Sequence, residues 1–141
     1  MKNSGIVNNQ DDRVNDLWFN VGYKTALGDD HESIVDLQQI IRLNPFDAAA
    51  YLYIGKIYLE KHEGERAEYY LACAAELDGD RFDIAFHFGT CLAVNGHHRE
   101  SLTWLQKAAD LRPKSSSAQF NLGMCHLVLG DEIRAMELFA R

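Results

Sequence analysis

A chain of 141 residues can bury one hydrophobic core, and an apolar content of 47% excludes a disordered chain. Its formal net charge of −7 argues against nucleic acid and against an acidic membrane surface, both of which need clustered Lys and Arg. Two prolines and ten glycines fit long helices better than a turn-rich β-sandwich.

No apolar run approaches the length needed to span a bilayer. The opening stretch MKNSGIVNNQDDR lacks the apolar segment of a secretory signal. Cys73, Cys91 and Cys125 are odd in number and fall within helical patterns, so they read as reduced, buried thiols of a cytoplasmic protein rather than a disulfide framework.

In chain order, residues 1–14 are polar and are expected to form a mobile tail or a short leading helix. Beyond them, helix-period patterns come in pairs: 15–27 with 31–43, 47–60 with 64–77, 81–94 with 98–111, and 115–128 with 132–141. The first helix of each pair carries a glycine after an apolar residue, Val21-Gly22, Ile54-Gly55, Phe88-Gly89 and Leu122-Gly123, at spacings of 33, 34 and 34. Twelve residues after the last three glycines stand small residues, Ala67, Ser101 and Ala135. Ser33 takes this slot in the first pair if one residue has been dropped from the first helix. Leu37, Leu71, Leu105 and Phe139 fill a further slot, and Leu43, Leu77 and Leu111 close the second helices, which end in LNP, LDG and LRP. Asp47, Asp80 and Ser115 are expected N-caps. Gly28, Gly96 and Gly130 suit the turns within pairs, with Glu63-Gly64 serving in the second.

Such a repeat has a physical logic. A glycine lets the first helix lie close against the second, the small residue meets it from the other side, and large residues fill the gaps. One pair cannot bury both its faces, so neighbouring pairs must stack.

These residues resemble the tetratricopeptide repeat, a 34-residue helix–turn–helix with a W-x2-L-G-x2-Y pattern followed by Ala, Phe and Pro. The resemblance covers residues 15–141 as repeats at about 15–46, 47–80, 81–114 and 115–141, the last incomplete. Only the first repeat keeps the Trp, only the second keeps the later Tyr (Tyr58), and the second ends in Gly rather than Pro. The resemblance implies an all-α, right-handed superhelix of antiparallel helix pairs whose first helices line a concave groove. That groove holds an extended peptide or a partner helix. On this alignment the groove residues are Phe19, Asn20 and Tyr23; Leu52, Tyr53 and Lys56; Phe86, His87 and Thr90; and Phe120, Asn121 and Met124. One subset of the family grips the C-terminal carboxylate of heat-shock chaperones with Lys, Asn and Arg at such slots. Here Phe19, Tyr23, Asp83 and His87 stand there instead, so no carboxylate clamp is expected. The apolar, aromatic lining suits apolar anchors. NPFDAAAYLYIG and AFHFGTCL are also similar to segments of type III secretion translocator chaperones.

The stretch FHFGTC at 86–91 places His87 and Cys91 four apart, as in metal pairs or cysteine nucleophiles. Zinc needs three or four convergent ligands, and a nucleophilic cysteine needs a base and an anion-stabilising pocket. Neither set is complete, and no G-x-x-x-x-G-K-[ST], G-x-S-x-G or H-E-x-x-H motif occurs. The expectation is a non-enzymatic chain with no cofactor and no metal, binding a protein partner. The alternative is the regulatory or substrate-docking region of a larger enzyme. The last helix lacks a polar cap, which leaves a homodimer through that end as a further expectation.

Overall fold

The computed structural model describes residues 9–141. Among them stand eight α-helices and no strand: α1 (Asn9–Ala26), α2 (Asp30–Leu43), α3 (Ala48–Glu60), α4 (Gly64–Asp78), α5 (Phe82–Val94), α6 (His98–Leu111), α7 (Ser116–Val128) and α8 (Glu132–Phe139). They pack as antiparallel pairs, α1 with α2, α3 with α4, α5 with α6 and α7 with α8, and each pair stacks on the next through α2–α3, α4–α5 and α6–α7. Successive first helices also touch, α3 with α5 and α5 with α7, which puts one face of each on a common surface.

The first helix starts earlier than the expected residue 15. It runs without a break from Asn9 because Val14, Leu17, Trp18 and Val21 continue one apolar stripe that packs toward Leu37 and Ile40. Residues 9–14 of the expected tail or leading helix are thus continuous with α1, and residues 1–8 lie outside the described part.

Turn geometry sets the register. The left-handed residues Gly28, His62, Gly96 and Gly130 fall at a constant spacing of 34. In the second pair the residue with positive φ is thus His62, at 61°, and not the expected glycine at 64. A left-handed non-glycine residue stores roughly 1–2 kcal/mol of strain. Gly64 instead makes room for a neighbour. A Cβ there would collide with the Asn95 side chain, whose Nδ2 donates to Gly64 O at 3.0 Å and to Glu68 Oε1 at 3.0 Å. This close approach ties the second pair to the third.

Counted from the turns, the small-residue slot holds Ser33, Ala67, Ser101 and Ala135, all buried, with no residue dropped from the first repeat. The glycine slot then holds Val21, Gly55, Gly89 and Gly123. At Gly55 an added Cβ would come within 2.5 Å of Leu71, at Gly89 within 2.8 Å of Leu105, and at Gly123 within 2.5 Å of Phe139. Gly22 has open space around it and belongs one step along. The 33-residue first spacing arose from aligning Gly22 with glycines that sit at close helix contacts, where it does not.

The core lies between pairs. Ile34, Leu37 and Ile40 of α2 meet Ala50, Ile54 and Ile57 of α3. Leu71 and Ala74 of α4 meet Ile84, Phe88 and Cys91 of α5, and Leu105 and Ala108 of α6 meet Ala118, Leu122 and Cys125 of α7. Each buried Leu or Ile contributes about 1.5–3 kcal/mol, so three such seams hold the stack together. Asp29, Asp47, Ser115 and Asp131 cap α2, α3, α7 and α8 through their side chains. The expected cap Asp80 does not serve. Helix α5 begins after Arg81, Asp83 bonds the Ile84 N–H at 2.9 Å, and Asp80 pairs with Lys107 at 2.9 Å.

Candidate functional site

The shared surface of α1, α3, α5 and α7 carries most of the residues expected in a groove, and the 34-residue register sorts them into rows. One row holds Phe19, Tyr53, His87 and Asn121, and the next holds Gly22, Lys56, Thr90 and Met124. A third holds Trp18, Leu52, Phe86 and Phe120. Trp18 therefore takes the place assigned from sequence to Phe19, and Phe19 moves one row over. Trp18 was missed because Gly22 drew the alignment off by one residue.

Three expected groove residues lie elsewhere. Leu52 is only 2% exposed and packs in the core with Ile84 and Phe88, since the following pair covers it. Asn20 and Tyr23 fall in the rows of Ile54, Phe88 and Leu122 and of Ile57, Cys91 and Cys125, which pack each pair against the one before. In α1 these two face outward at the leading end of the stack and are exposed.

The remaining side chains form a surface rich in rings. Phe19 is 75% exposed, Tyr53 41% and Phe120 56%. Trp18 meets Tyr53 edge to face at 5.5 Å between ring centroids, and Lys56 Nζ lies 5.1 Å from the Tyr53 centroid. Phe86 is half-buried, stacked on Phe82 at 5.6 Å and edge-on to His87 at 5.3 Å. Phe120 packs against Phe139 at 5.6 Å. Asn121 Nδ2 donates to Thr90 Oγ1 at 3.1 Å across the α5–α7 boundary. Beside this bond is a pocket of about 280 Å³, walled by Thr90, Ala93 and Val94 of α5 and Asn121, Met124, Cys125 and Val128 of α7, with His98 and Leu105 of α6 at its base.

The electrostatics are local. Burial holds the His87 imidazole below its ordinary pKa; Lys56 pushes it the same way, and Asp83 opposes both. Burial pushes the Asp83 carboxyl up, but the hydrogen bonds and charge of Arg81, at 2.8 and 3.1 Å, outweigh that and leave it below the usual carboxylate range. His87 and Cys91 share a helix but not an environment. The Cys91 thiol is buried, donates to Gly64 O at 3.6 Å, and is pushed up to about 11 by that burial and by Glu68. A thiol so placed stays protonated at neutral pH, the opposite of what a nucleophile requires. Among the described residues no three His, Cys, Asp or Glu side chains converge as metal ligands, and no helix is long and apolar enough to cross a membrane.

Comparison with known proteins fits this geometry. Residues 88–141 match the family described as the tetratricopeptide repeat. Superkiller complex protein 3 of Mus musculus is 26% identical over 114 residues, covering 80% of this chain but 7% of its own length, so the chain spans a small part of that relative. Among solved structures, MamA residues 41 to the end from Desulfovibrio magneticus RS-1 is 19% identical with a TM-score of 0.81, over 90% of this chain and 72% of that one. PilF of Pseudomonas aeruginosa is 19% identical with a TM-score of 0.80, over 94% of this chain and 60% of that one. The chain therefore has the superhelical helix-pair fold of these structures, and its second half carries the sequence pattern of the tetratricopeptide repeat.

Proposed function

We propose that this chain is a tetratricopeptide-repeat interaction module, without catalytic chemistry of its own, that binds an apolar extended peptide or an amphipathic helix along the α1, α3, α5 and α7 surface. The observation that carries this reading is the set of solvent-exposed rings, Phe19, Tyr53 and Phe120, which the first, second and fourth helix pairs present on one surface. Exposed aromatic groups gathered in this way mark interaction surfaces on soluble proteins. The mouse relative is by its name a component of a complex, which supports a role in assembly. Three free cysteines, of which Cys91 and Cys125 are buried and Cys73, contrary to expectation, is only partly so, are consistent with a cytoplasmic setting.

The match to 7% of a long relative favours a second reading, in which the same module is the docking or regulatory region of a larger protein. Both readings use the same surface. The test is selection of binding peptides from a random-sequence display library, followed by titration against a Tyr53→Glu and Phe120→Glu double variant. These side chains are exposed, so helicity is expected to persist, while affinity for the selected peptides falls at least about tenfold, the loss of roughly 1.4 kcal/mol. Unchanged affinity in a folded double variant excludes this surface.

A further inference from the structure

Resting on that reading, we infer that the pocket between α5 and α7 is an anchor site for one uncharged, apolar side chain of an extended peptide. The Thr90–Asn121 pair at its wall takes the main chain of the anchoring residue.

The size of the pocket is the first argument. At about 280 Å³ it lies just below the range of about 300–1,000 Å³ typical of sites for whole drug-sized ligands. It fits a single large side chain better than a cofactor.

Charge is the second. The chain carries −7, yet no carboxylate, ammonium or guanidinium group lines this pocket, whose one imidazole is His98. A charged anchor would surrender its hydration there and meet no carboxylate, ammonium or guanidinium group, only the partly buried His98 imidazole. An apolar anchor loses nothing and covers Ala93, Val94 and Met124.

The third is the hydrogen-bonding capacity beside it. Asn121 spends one amide N–H on Thr90 Oγ1 at 3.1 Å. The Asn121 Oδ1 acceptor, the second Asn121 N–H and the Thr90 hydroxyl proton have no bonds to described residues. One acceptor and two donors side by side match the N–H and C=O of a peptide unit. A free hydrocarbon or a lone ion would use only half of this arrangement. Nothing comparable joins α3 to α5, where the corresponding residues are Lys56 and His87.

The experiment uses the 141-residue chain, ¹⁵N-labelled, and three small probes: N-acetyl-leucine N-methylamide, N-acetyl-aspartate N-methylamide and isoamyl alcohol. The leucine probe is expected to give saturable amide shifts centred on Thr90, Ala93 and Met124. The aspartate probe should bind at least tenfold more weakly, and so should the alcohol, which has the side chain but no amide. Thr90→Trp is expected to abolish the leucine effect by filling the pocket, and Asn121→Leu to weaken it about tenfold. If Thr90→Trp does not fold, Val94→Trp at the exposed rim replaces it. Equal binding of leucine and aspartate probes, shifts centred elsewhere, or binding that survives the filled pocket each overturn the inference. If library peptides bind and are lost in the Tyr53/Phe120 double variant while the leucine probe gives no shift, the anchor pocket fails and the wider groove stands. If the probe binds as expected but no library peptide depends on Tyr53 and Phe120, the reading of the wider surface fails instead.

Discussion

The leading face of α1 and the matching faces of α3, α5 and α7 occupy the same slots of one repeat and have opposite character. Internal pairs place Ala50, Ile54 and Ile57, or Ile84, Phe88 and Cys91, or Ala118, Leu122 and Cys125 in these slots, all buried against the preceding pair. The first pair places Asp16, Asn20 and Tyr23 there, all exposed. The contrast extends inside the pair. Where the second pair stacks Tyr58 on Tyr70 at 5.8 Å, the first has Lys24 bonded to Asp36 at 2.6 Å, and that bond raises the Lys24 pKa. The lesson is that backbone periodicity alone does not define a stacking face. A slot becomes an interface only when its side chains lose nothing by leaving water.

Exchanging residues between the two faces gives the largest test. Ile54→Asn should cost about 3–5 kcal/mol, since it deletes buried apolar volume and encloses an amide without partners. Asn20→Ile, in the same slot of the first pair, should change stability by no more than about 0.5 kcal/mol. Urea denaturation midpoints measure both; similar losses would erase the distinction between the faces.

The glycines offer a smaller test, with opposite signs. Gly89→Ala forces a Cβ against Leu105, which costs about 1–3 kcal/mol by overpacking, partly offset by about 1 kcal/mol of helix propensity. Gly22→Ala meets open space and should stabilise by up to about 1 kcal/mol. Thermal unfolding of the two variants decides whether the 34-residue register is right. If Gly22→Ala destabilises as Gly89→Ala does, Gly22 occupies the packing slot after all.

The smallest effect concerns His87, which is half-buried on α5, whereas its counterpart in α1, Phe19, cannot titrate. Burial and Lys56 depress the folded-state pKa of His87, so near its ordinary value of 6.5 the unfolded chain binds the proton more readily. The contribution to stability is complete above that pH and is lost as pH falls toward the depressed value. His87→Gln should therefore flatten part of the decline in stability as pH falls through and below 6.5. An identical decline in both proteins would show that His87 does not report on folding.

Most of the architecture was legible in the residues. Paired helical patterns, the small-residue slot at Ser33, Ala67, Ser101 and Ala135, and the glycines at 55, 89 and 123 all carry the same 34-residue period. The positions of the candidate surface residues were legible only in part. Tyr53, Lys56, His87, Thr90, Asn121 and Met124 were placed in rows that the structure brings to a common surface, whereas Asn20 and Tyr23 were displaced by a glycine of the right type in the wrong slot. Leu52 was lost for a different reason. Its row also contains the exposed Phe120, and whether a member of that row is covered depends on the next pair rather than on its own helix.

Sequence by itself determined the helix pairs and their stacking, because apolar spacing, capping residues and close-approach glycines act within a few turns of chain. Tertiary structure alone decided which glycine packs, which residue of a row is buried, and that Thr90 and Asn121, 31 residues apart, share a hydrogen bond beside a pocket. Those outcomes depend on how one helix lies against another. A single residue of register rotates a helical side chain by about 100°, enough to carry it from an interface to a surface.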